Sequence, residues 1–297
     1  MRHSRRSAPR ETRGTSFIPG SFIPGSVWWI EVSSTDPAGS RDFYAGLFGW
    51  SYQIDSDPRR GHYTTALLAG RRVAGLAGVA VPAGQPAAWT PYLASANIEY
   101  TAQLVTQWGG RVLDGPVDVP GQGRALLGAD PTGAVIGFWQ PATPRMLHTT
   151  DPGSLSWAEL NTWHGPRADG FFAQLFGYHQ QQIGDGTWVD YTTWSPGGPT
   201  MLGRLQMNED WASPDTGAHW LLHFAVDPWT GTDATVDRVL ELGGRVDFDP
   251  YDSELGRIAR VADPSGAAFA LIDPTQRLEP ATDLAPGPAR VDDPYDD

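Results

Sequence analysis

Hydrophobic and polar residues alternate with two periods along this chain, and the two periods follow one another in a repeated order. The stretch 27–32, VWWIEV, is rich in branched and aromatic residues and predicts a β-strand. A helix is predicted between Asp36 and Gly49. Asp36 suits the N-cap, Pro37 suits the first helical position and Gly49 suits the C-terminal end. Three further strands are predicted over 50–54, 63–68 and 73–81. The pattern therefore predicts a β-α-β-β-β module.

The same order of elements returns three times. A second module is predicted from a strand over 89–94, a helix over 99–108 and strands over 111–113, 123–129 and 134–140. A third and a fourth module follow over 156–207 and 219–273. The first and third modules share residues at a constant separation of 128 positions, which are Trp29 with Trp157, Glu31 with Glu159, Phe43 with Phe171 and Gly49 with Gly177. A constant separation without gaps indicates an internal duplication.

Composition and charge exclude several classes of protein and of catalytic chemistry. The chain has 297 residues, of which 40% are hydrophobic and 13 are Trp, enough for two packed domains. The net charge of −13 argues against a surface that binds nucleic acid or anionic membranes, and no apolar run approaches the roughly 18 residues that span a bilayer. The absence of Cys and Lys excludes disulfides, thiolate chemistry and Schiff-base catalysis. No signal peptide is recognised, so a cytoplasmic protein is expected.

Several phrases of the sequence resemble the vicinal oxygen chelate superfamily, the glyoxalase and bleomycin-resistance group. They are Phe43-Tyr-x-x-Leu-Phe-Gly-Trp, Phe171-Phe-x-x-Leu-Phe-Gly-Tyr and the Ala-Asp-Pro-x-Gly turns that begin at Ala129 and Ala262. The resemblance implies an α+β fold in which four βαβββ modules form two tandem glyoxalase-like domains. Each domain would curl into a cup, with helices outside and a ligand inside.

The expected boundaries follow from this resemblance and from the composition. A first domain covers 26–142, with modules 26–82 and 87–142, and a second covers 155–274, with modules 155–208 and 217–274. The stretch 143–154, rich in Pro, Gly and Thr, is the expected linker. The polar segments 1–25 and 275–297 are expected to be disordered.

The metal-binding pattern that the resemblance implies is broken in both halves. Members that use a metal place a Glu a few residues after the Asp-Pro-x-Gly turn, and this position falls on Gly137 and Ala270. The usual His or Gln of the first strand falls near Trp29 and Trp157. A metal site needs several converging oxygen or nitrogen donors. No metal and no cofactor is therefore expected.

Glu31 and Glu159 are the first candidate catalytic residues. Each lies two residues after a Trp on a predicted strand, so Glu31 shares a face with Trp29 and Glu159 with Trp157. A carboxyl group between aromatic rings in a partly dry cavity has a raised pKa and can act as an acid or a base. The alternative is structural, because a Glu that binds a nearby amide or Arg and fixes its strand would also be duplicated.

His223 and Tyr92 are the other candidate acid–base residues. Each follows a Trp by three positions, Trp220 and Trp89 respectively, so the two are expected to be equivalent. His219 lies four residues before His223, which on a strand is roughly 13 Å, too far for both to hold one ion. The alternative is that one histidine is a polar residue at the rim and the other is hydrogen-bonded in the core.

Aromatic residues on the predicted strands form the candidate ligand-binding set, because indole rings stack on flat, apolar molecules. The expected ligand contacts are Trp29, Trp89, Trp139, Trp157, Trp220, Tyr63, Tyr191, Thr65 and Thr193. The alternative is that these Trp residues form the packed core.

Three functions are compatible with the sequence, because one fold hosts all of them. The first is metal-free binding of a flat aromatic or polyketide-like molecule, in bacterial specialised metabolism or resistance. The second is a metal-independent lyase, isomerase or cyclase that uses Glu31, Glu159, His223 or Tyr92. The third is a metal-dependent lyase or dioxygenase with non-standard ligands. The expected partner is a small molecule, with no nucleic acid and no membrane, and the chain is expected to be a monomer or a homodimer.

Overall fold

The computed structural model describes residues 22–56, 63–77, 87–143, 147, 149, 151–184, 186, 189–198 and 201–278. The first eight strands are β1 (Val27–Ser33), β2 (Ser51–Ile54), β3 (Thr64–Leu68), β4 (Arg71–Ala77), β5 (Ala88–Ala94), β6 (Arg111–Val119), β7 (Gly123–Ala129) and β8 (Val135–Pro141). The next eight are β9 (Leu155–Thr162), β10 (His179–Ile183), β11 (Tyr191–Ser195), β12 (Leu202–Gln206), β13 (His219–Ala225), β14 (Arg245–Ser253), β15 (Gly256–Ala262) and β16 (Ala268–Asp273). The helices are α1 (Pro37–Phe48), α2 (Ile98–Gln107), α3 (Gly165–Phe176) and α4 (Gly231–Glu241).

Each half of the chain forms one mixed sheet of eight strands. The strand order is β2-β3-β4-β1-β5-β8-β7-β6 in the first half and β10-β11-β12-β9-β13-β16-β15-β14 in the second. The opening strands of the modules, β1 with β5 and β9 with β13, pair antiparallel at the centre of each sheet. These sheets confirm the predicted α+β fold, with β-α-β-β-β modules in two tandem halves.

The sequence signals at the ends of α1 act as predicted. The Asp36 carboxylate accepts a hydrogen bond from the Gly39 amide at 3.0 Å, which caps the helix N-terminus. Gly49 ends the helix with φ of 70°, in the left-handed region that favours glycine.

Strand β6 differs most from its prediction. The sequence pattern predicts a strand only over 111–113, whereas β6 runs to Val119. Its pairing with β7 shifts register on either side of Asp114, as at β-bulges. The bulges let the strand continue through Gly115 and Pro116, two residue types that ordinarily interrupt a strand.

The helices lie between the two sheets and join them into one core. Phe48 of α1 contacts Phe224 of β13 with ring centroids 5.3 Å apart, and Trp89 of β5 contacts the same ring at 5.1 Å. The Tyr44 hydroxyl of α1 donates to Asp263 of the second half. Helix α1 also lies against α4, and α2 against α3. The opposite faces of the two sheets are therefore the ones left for a ligand.

The predicted disordered segments lie mostly outside the described residues. This applies to 1–21 and 279–297, for which the prediction stays a prediction. Residues 22–25 are described, and the Phe22 ring packs edge-on against Trp28 with ring centroids 5.8 Å apart. In the described part of the chain, no helix is long and apolar enough to cross a membrane.

A buried ion cluster is found in the second half. The Arg204 side chain of β12 is 3% exposed, and its guanidinium donates to Asp169 at 2.8 Å and to Asp190 at 2.6 Å. The residue at the equivalent position of the first half, 128 positions earlier, is the buried Leu76. Two carboxylates depend on one guanidinium, so removing the guanidinium leaves them without their counter-charge.

We expect Arg204→Leu, which copies Leu76, to lower the free energy of unfolding by about 3–5 kcal/mol, because Asp169 and Asp190 lose their partner. Urea unfolding followed by circular dichroism measures the change. Adding Asp169→Asn and Asp190→Asn to the same variant is expected to recover part of the loss. A loss below about 1 kcal/mol, typical of exposed ion pairs, would show that water replaces the guanidinium at no great cost.

Candidate functional site

The first cavity lies on the face of the first sheet that is turned away from the helices. In the register of β1 with β5, Trp29 is opposite Tyr92 and Glu31 is opposite Thr90. Strand side chains alternate, so Trp29, Glu31 and Tyr92 share this face, and all three line the cavity. Its volume is about 540 Å³, within the range of about 300–1,000 Å³ typical of ligand pockets. The remaining walls include Trp28, Tyr63, Arg72, Trp139, Leu147 and residues 118–122, which are the end of β6 and the β6–β7 connection.

A chain of hydrogen-bonding groups forms the polar part of the first cavity. Trp29 Nε1 donates to Tyr63 Oη at 2.7 Å. The Tyr63 and Tyr92 hydroxyls interact with the Glu31 carboxyl group and lower its pKa. Burial raises the pKa of Glu31, and the two hydroxyls only partly oppose the shift. The site therefore holds a carboxyl group that keeps its proton to a higher pH than an ordinary Glu.

Tyr63 and Tyr92 stay protonated around this carboxyl group. Burial, followed by the negative charge of Glu31, raises the pKa of both phenols above the ordinary value. Each phenol is thus a fixed hydrogen-bond donor or acceptor for a bound ligand rather than a nucleophile. The arrangement can bind a ligand hydroxyl or carbonyl and can give or take one proton at Glu31.

Residues that the sequence did not predict complete the rim of the first cavity. The Arg72 guanidinium lies over the Trp29 ring, 4.6 Å from its centroid, and Arg72 Nη2 donates to Gln122 Oε1 at 3.4 Å. Trp28 and Leu147 add apolar surface. Strand alternation predicts that Trp28 and Trp29 lie on opposite faces, but the register of β1 with β5 shifts between Val27 and Trp29 and both indoles line the cavity, so the sequence pattern gives no signal for Trp28.

The second half repeats the Trp–Tyr–Glu arrangement but buries it. Trp157 Nε1 donates to Tyr191 Oη at 2.6 Å, the counterpart of the bond in the first half. Glu159 is 6% exposed and accepts a hydrogen bond from Asn161 Nδ2 at 2.9 Å. Burial alone raises the pKa of Glu159, but His223, Arg260 and Asn161 together outweigh it and the pKa is lowered. Glu159 therefore stays ionised, unlike a Glu that is poised to exchange protons.

His223 occupies the position of Tyr92 in the second half. It is opposite Trp157 in the β9–β13 register, as Tyr92 is opposite Trp29, so the predicted equivalence is confirmed. It is 2% exposed, and His223 Nε2 lies 3.7 Å from Glu159 Oε2, longer than a hydrogen bond. Among the described residues, neither ring nitrogen has a hydrogen-bond partner.

The second cavity is smaller and is formed by other residues. Its volume is about 290 Å³. It is lined by Met207, Trp211, Ala212, Ser213, Thr216, His219, Leu221, Asp247, Phe248, Arg260 and Ala268. This lining includes none of Trp157, Glu159, Tyr191 and His223. The two halves thus differ, since the first presents its Glu to open space and the second encloses it.

Trp89 and Trp220, two of the expected ligand contacts, line neither cavity. They are 4% and 5% exposed on the face that packs against the helices, where Trp89 Nε1 donates to Tyr44 Oη and Trp220 packs edge-on against Phe172. The reason is strand alternation. Each Trp lies three residues before Tyr92 or His223 and so points to the opposite face. For these two residues the structure favours the core role.

Thr65 and Thr193 are also absent from both linings. They lie on β3 and β11, and the Thr193 hydroxyl donates to the Gln181 carbonyl oxygen at 3.4 Å across the β10–β11 pair. Trp139, in contrast, lines the first cavity and packs edge-on against Tyr92 with ring centroids 6.2 Å apart.

A metal ion of the kind that the fold family implies does not fit the described residues. The closing-strand position is Gly137, which is paired with Tyr92 on β5, and a Cβ atom at Gly137 would overlap the Tyr92 ring. The ring therefore fills the space through which a metal-binding side chain would project. Its counterpart Ala270 carries no donor atom either. Within the described ranges, no three His, Asp or Glu side chains lie close enough to share a metal ion.

Comparison with known proteins gives the relatives of this chain. It is 34% identical over 281 residues to the anthracycline biosynthesis protein DauV of Streptomyces sp. (strain C5), which covers 89% of this chain and 98% of DauV. Its structure is similar to the Mn(II)-bound glyoxalase from Novosphingobium aromaticivorans, with a TM-score of 0.60, 13% identity and 86% coverage of both chains. It is also similar to the 2,3-dioxygenase LapB from Pseudomonas sp. KL28, with a TM-score of 0.61, 13% identity and coverage of 89% of this chain and 97% of LapB. No protein-family model matches the sequence.

Paired βαβββ modules with a cavity on each sheet give this chain the two-domain fold of these glyoxalase and dioxygenase structures. The chain is also 31% identical over 260 residues to the putative glyoxylase CFP32 of Mycobacterium tuberculosis (strain CDC 1551 / Oshkosh), with coverage of 85% of this chain and 96% of CFP32. The chain therefore belongs to the vicinal oxygen chelate superfamily, the glyoxalase group.

Proposed function

We propose that the first cavity binds a flat aromatic molecule of the polyketide type in specialised metabolism, without a metal ion. The observation that carries the proposal is the combination of indole walls with a Glu31–Tyr63–Tyr92 polar cluster in one open cavity of about 540 Å³. Flat rings stack on Trp139 and Trp29, while hydroxyl or carbonyl groups of the ligand bind the phenols. The relationship to DauV, whose name refers to anthracycline biosynthesis, supports this ligand class.

Emodin, a flat hydroxyanthraquinone, is the probe for this proposal. We expect it to bind the metal-free protein in isothermal titration calorimetry, and Trp139→Ala to weaken binding about tenfold or more, a loss of about 1.4 kcal/mol. Trp229→Ala is the matched control, because Trp229 is 98% exposed. Equal affinity of the wild-type protein and Trp139→Ala would place emodin elsewhere.

A second candidate function is metal-independent proton transfer by Glu31, in a lyase, isomerase or cyclase. The raised pKa of Glu31 inside the cavity favours it. Anthrone, a flat ketone with an acidic methylene group, tests it, because its exchange with D₂O is read by mass spectrometry. If Glu31 is a base, the protein speeds exchange and Glu31→Gln slows it by about 10²–10⁴-fold. Exchange at the same rate with wild-type and variant protein would leave binding as the only function of the site.

A further inference from the structure

The second cavity has an arginine in its lining, in a chain whose net charge is −13. Arg260 of β15 and His219 of β13 both line it. Asp247 is an acidic residue of the lining, and its carboxylate is already paired with the guanidinium of Arg245 at 2.7 Å. Arg260 is therefore the group of this lining that is available to pair with an anionic ligand.

The Arg260 guanidinium has N–H groups that remain available to a ligand. Its Nη2 donates to Asn161 Oδ1 at 3.2 Å, and its guanidinium carbon lies 6.0 Å from the centroid of the Trp211 ring. Over the described ranges, no carboxylate forms an ion pair with it. The charge of Arg260 lowers the pKa of Glu159, but the Glu159 carboxylate accepts its hydrogen bond from Asn161 and lies beside His223. A guanidinium has five N–H donors, and one hydrogen bond to an amide oxygen leaves a planar pair of donors for an anion.

The arginine is specific to the second half. Arg260 is opposite Ala270 in the β15–β16 pair, and in the first half Leu127 is opposite Gly137 in the same place. The duplication therefore gives the two sheets different groups at one position, an apolar side chain in one and a cation in the other. A cation at a half-buried position has a desolvation cost that an apolar side chain does not have. If the side chain at this position only filled space, Leu would serve as well as Arg.

His219 does not add a second full charge. Burial lowers its pKa, and the neighbouring Arg260 lowers it further, although the Gly217 carbonyl and Glu159 oppose this. The ring is oriented by a hydrogen bond between Nδ1 and the Gly217 carbonyl oxygen at 2.9 Å. A neutral imidazole and one guanidinium together suit a ligand with a single negative charge.

The rest of the cavity suits a ring. Trp211, Phe248, Leu221 and Met207 supply apolar walls around a volume of about 290 Å³. This volume accommodates one ring with a short substituent more readily than a fused polycyclic molecule.

We propose that the second cavity is a binding site for a small aromatic carboxylate, with the carboxylate on Arg260 and the ring between Trp211 and Phe248. The site is separate from the first cavity, and it does not depend on the function proposed there. The protein would then bind two chemically different molecules, one in each half.

Benzoate is the probe, and benzyl alcohol is its neutral counterpart of the same size. In ligand-observed NMR and calorimetry with the full chain, we expect benzoate to bind about tenfold or more tightly than benzyl alcohol, because the charge-assisted hydrogen bonds are lost with the alcohol. Arg260→Gln should weaken benzoate by about 10–100-fold, while Arg260→Lys retains part of the affinity. Arg257→Gln is the matched control on the same strand, because Arg257 pairs on the surface with Asp233 and Asp252.

Circular dichroism checks that each variant is folded, and Arg260→Lys keeps the test informative if Arg260→Gln fails to fold. Three results would overturn the proposal. They are the absence of benzoate binding at millimolar concentration, equal binding of benzoate and benzyl alcohol, and equal weakening by Arg260→Gln and Arg257→Gln.

Discussion

Gly137→Ala is expected to cost both stability and ligand binding, although it adds a single methyl group. A Cβ atom at Gly137 would overlap the Tyr92 ring, whose hydroxyl interacts with Glu31. The ring has to leave its place, so we expect the free energy of unfolding to fall by about 1–3 kcal/mol. The affinity for emodin is expected to fall about tenfold or more, a loss of at least about 1.4 kcal/mol, because the polar cluster is displaced.

The duplication supplies the control for this substitution. The second half has Ala270 opposite His223 where the first has Gly137 opposite Tyr92. Gly137→Ala combined with Tyr92→His therefore rebuilds a pair that this fold already accommodates. The double variant should regain stability but not emodin affinity, and urea unfolding with calorimetry separates the two. Full emodin affinity in Gly137→Ala alone would contradict the position assigned to Tyr92.

Glu31→Gln and Glu159→Gln are expected to change stability in opposite directions at neutral pH. The pKa of Glu31 is raised above 4.5, so its stabilising contribution is fully present below pH 4.5 and is lost as pH rises through its folded pKa. The pKa of Glu159 is lowered below 4.5, so its contribution is present above pH 4.5 and is lost as pH falls through its folded pKa. At pH 7, Glu31→Gln should be at least as stable as the wild type, and Glu159→Gln less stable by about 1–3 kcal/mol.

Urea unfolding between pH 3 and pH 8 measures both effects on the same footing. The stability of wild type relative to Glu31→Gln should decline with rising pH, and relative to Glu159→Gln it should increase and level off. Opposite signs of the two pH dependences distinguish a carboxyl group that serves ligand binding from one that stabilises the fold. Parallel profiles would mean that both Glu residues have the structural role that the duplication also allows.

The fold could be predicted because the sequence pattern of one β-α-β-β-β module occurs four times along the chain. The glycine that ends α1, Gly49, recurs in register as Gly177 at the end of α3, and tandem β-α-β-β-β modules leave few ways of pairing strands. The shared face of Trp29 and Glu31, and the equivalence of Tyr92 with His223, follow from strand alternation and repeat arithmetic. These features depend on local or repeated sequence.

The difference between the two cavities could not be predicted in the same way. The opening above Glu31 and the closure around Glu159 depend on side chains from distant segments, such as Leu147 in one half and Arg260 in the other. Alignment of the two halves identifies the residues that they share. It does not identify Arg260, because the first half has Leu127 at the same position. The placement of Trp89 and Trp220 in the core, in contrast, follows from the same alternation rule applied to Tyr92 and His223.

The most direct test of the proposed function is the stoichiometry of emodin binding to protein treated with a chelator, measured by calorimetry with and without added Mn(II). We expect one emodin per chain, with an affinity that is unchanged by Mn(II) and reduced about tenfold in Trp139→Ala. Binding that requires Mn(II), or that is insensitive to Trp139→Ala, would contradict a metal-free ligand site in the first cavity.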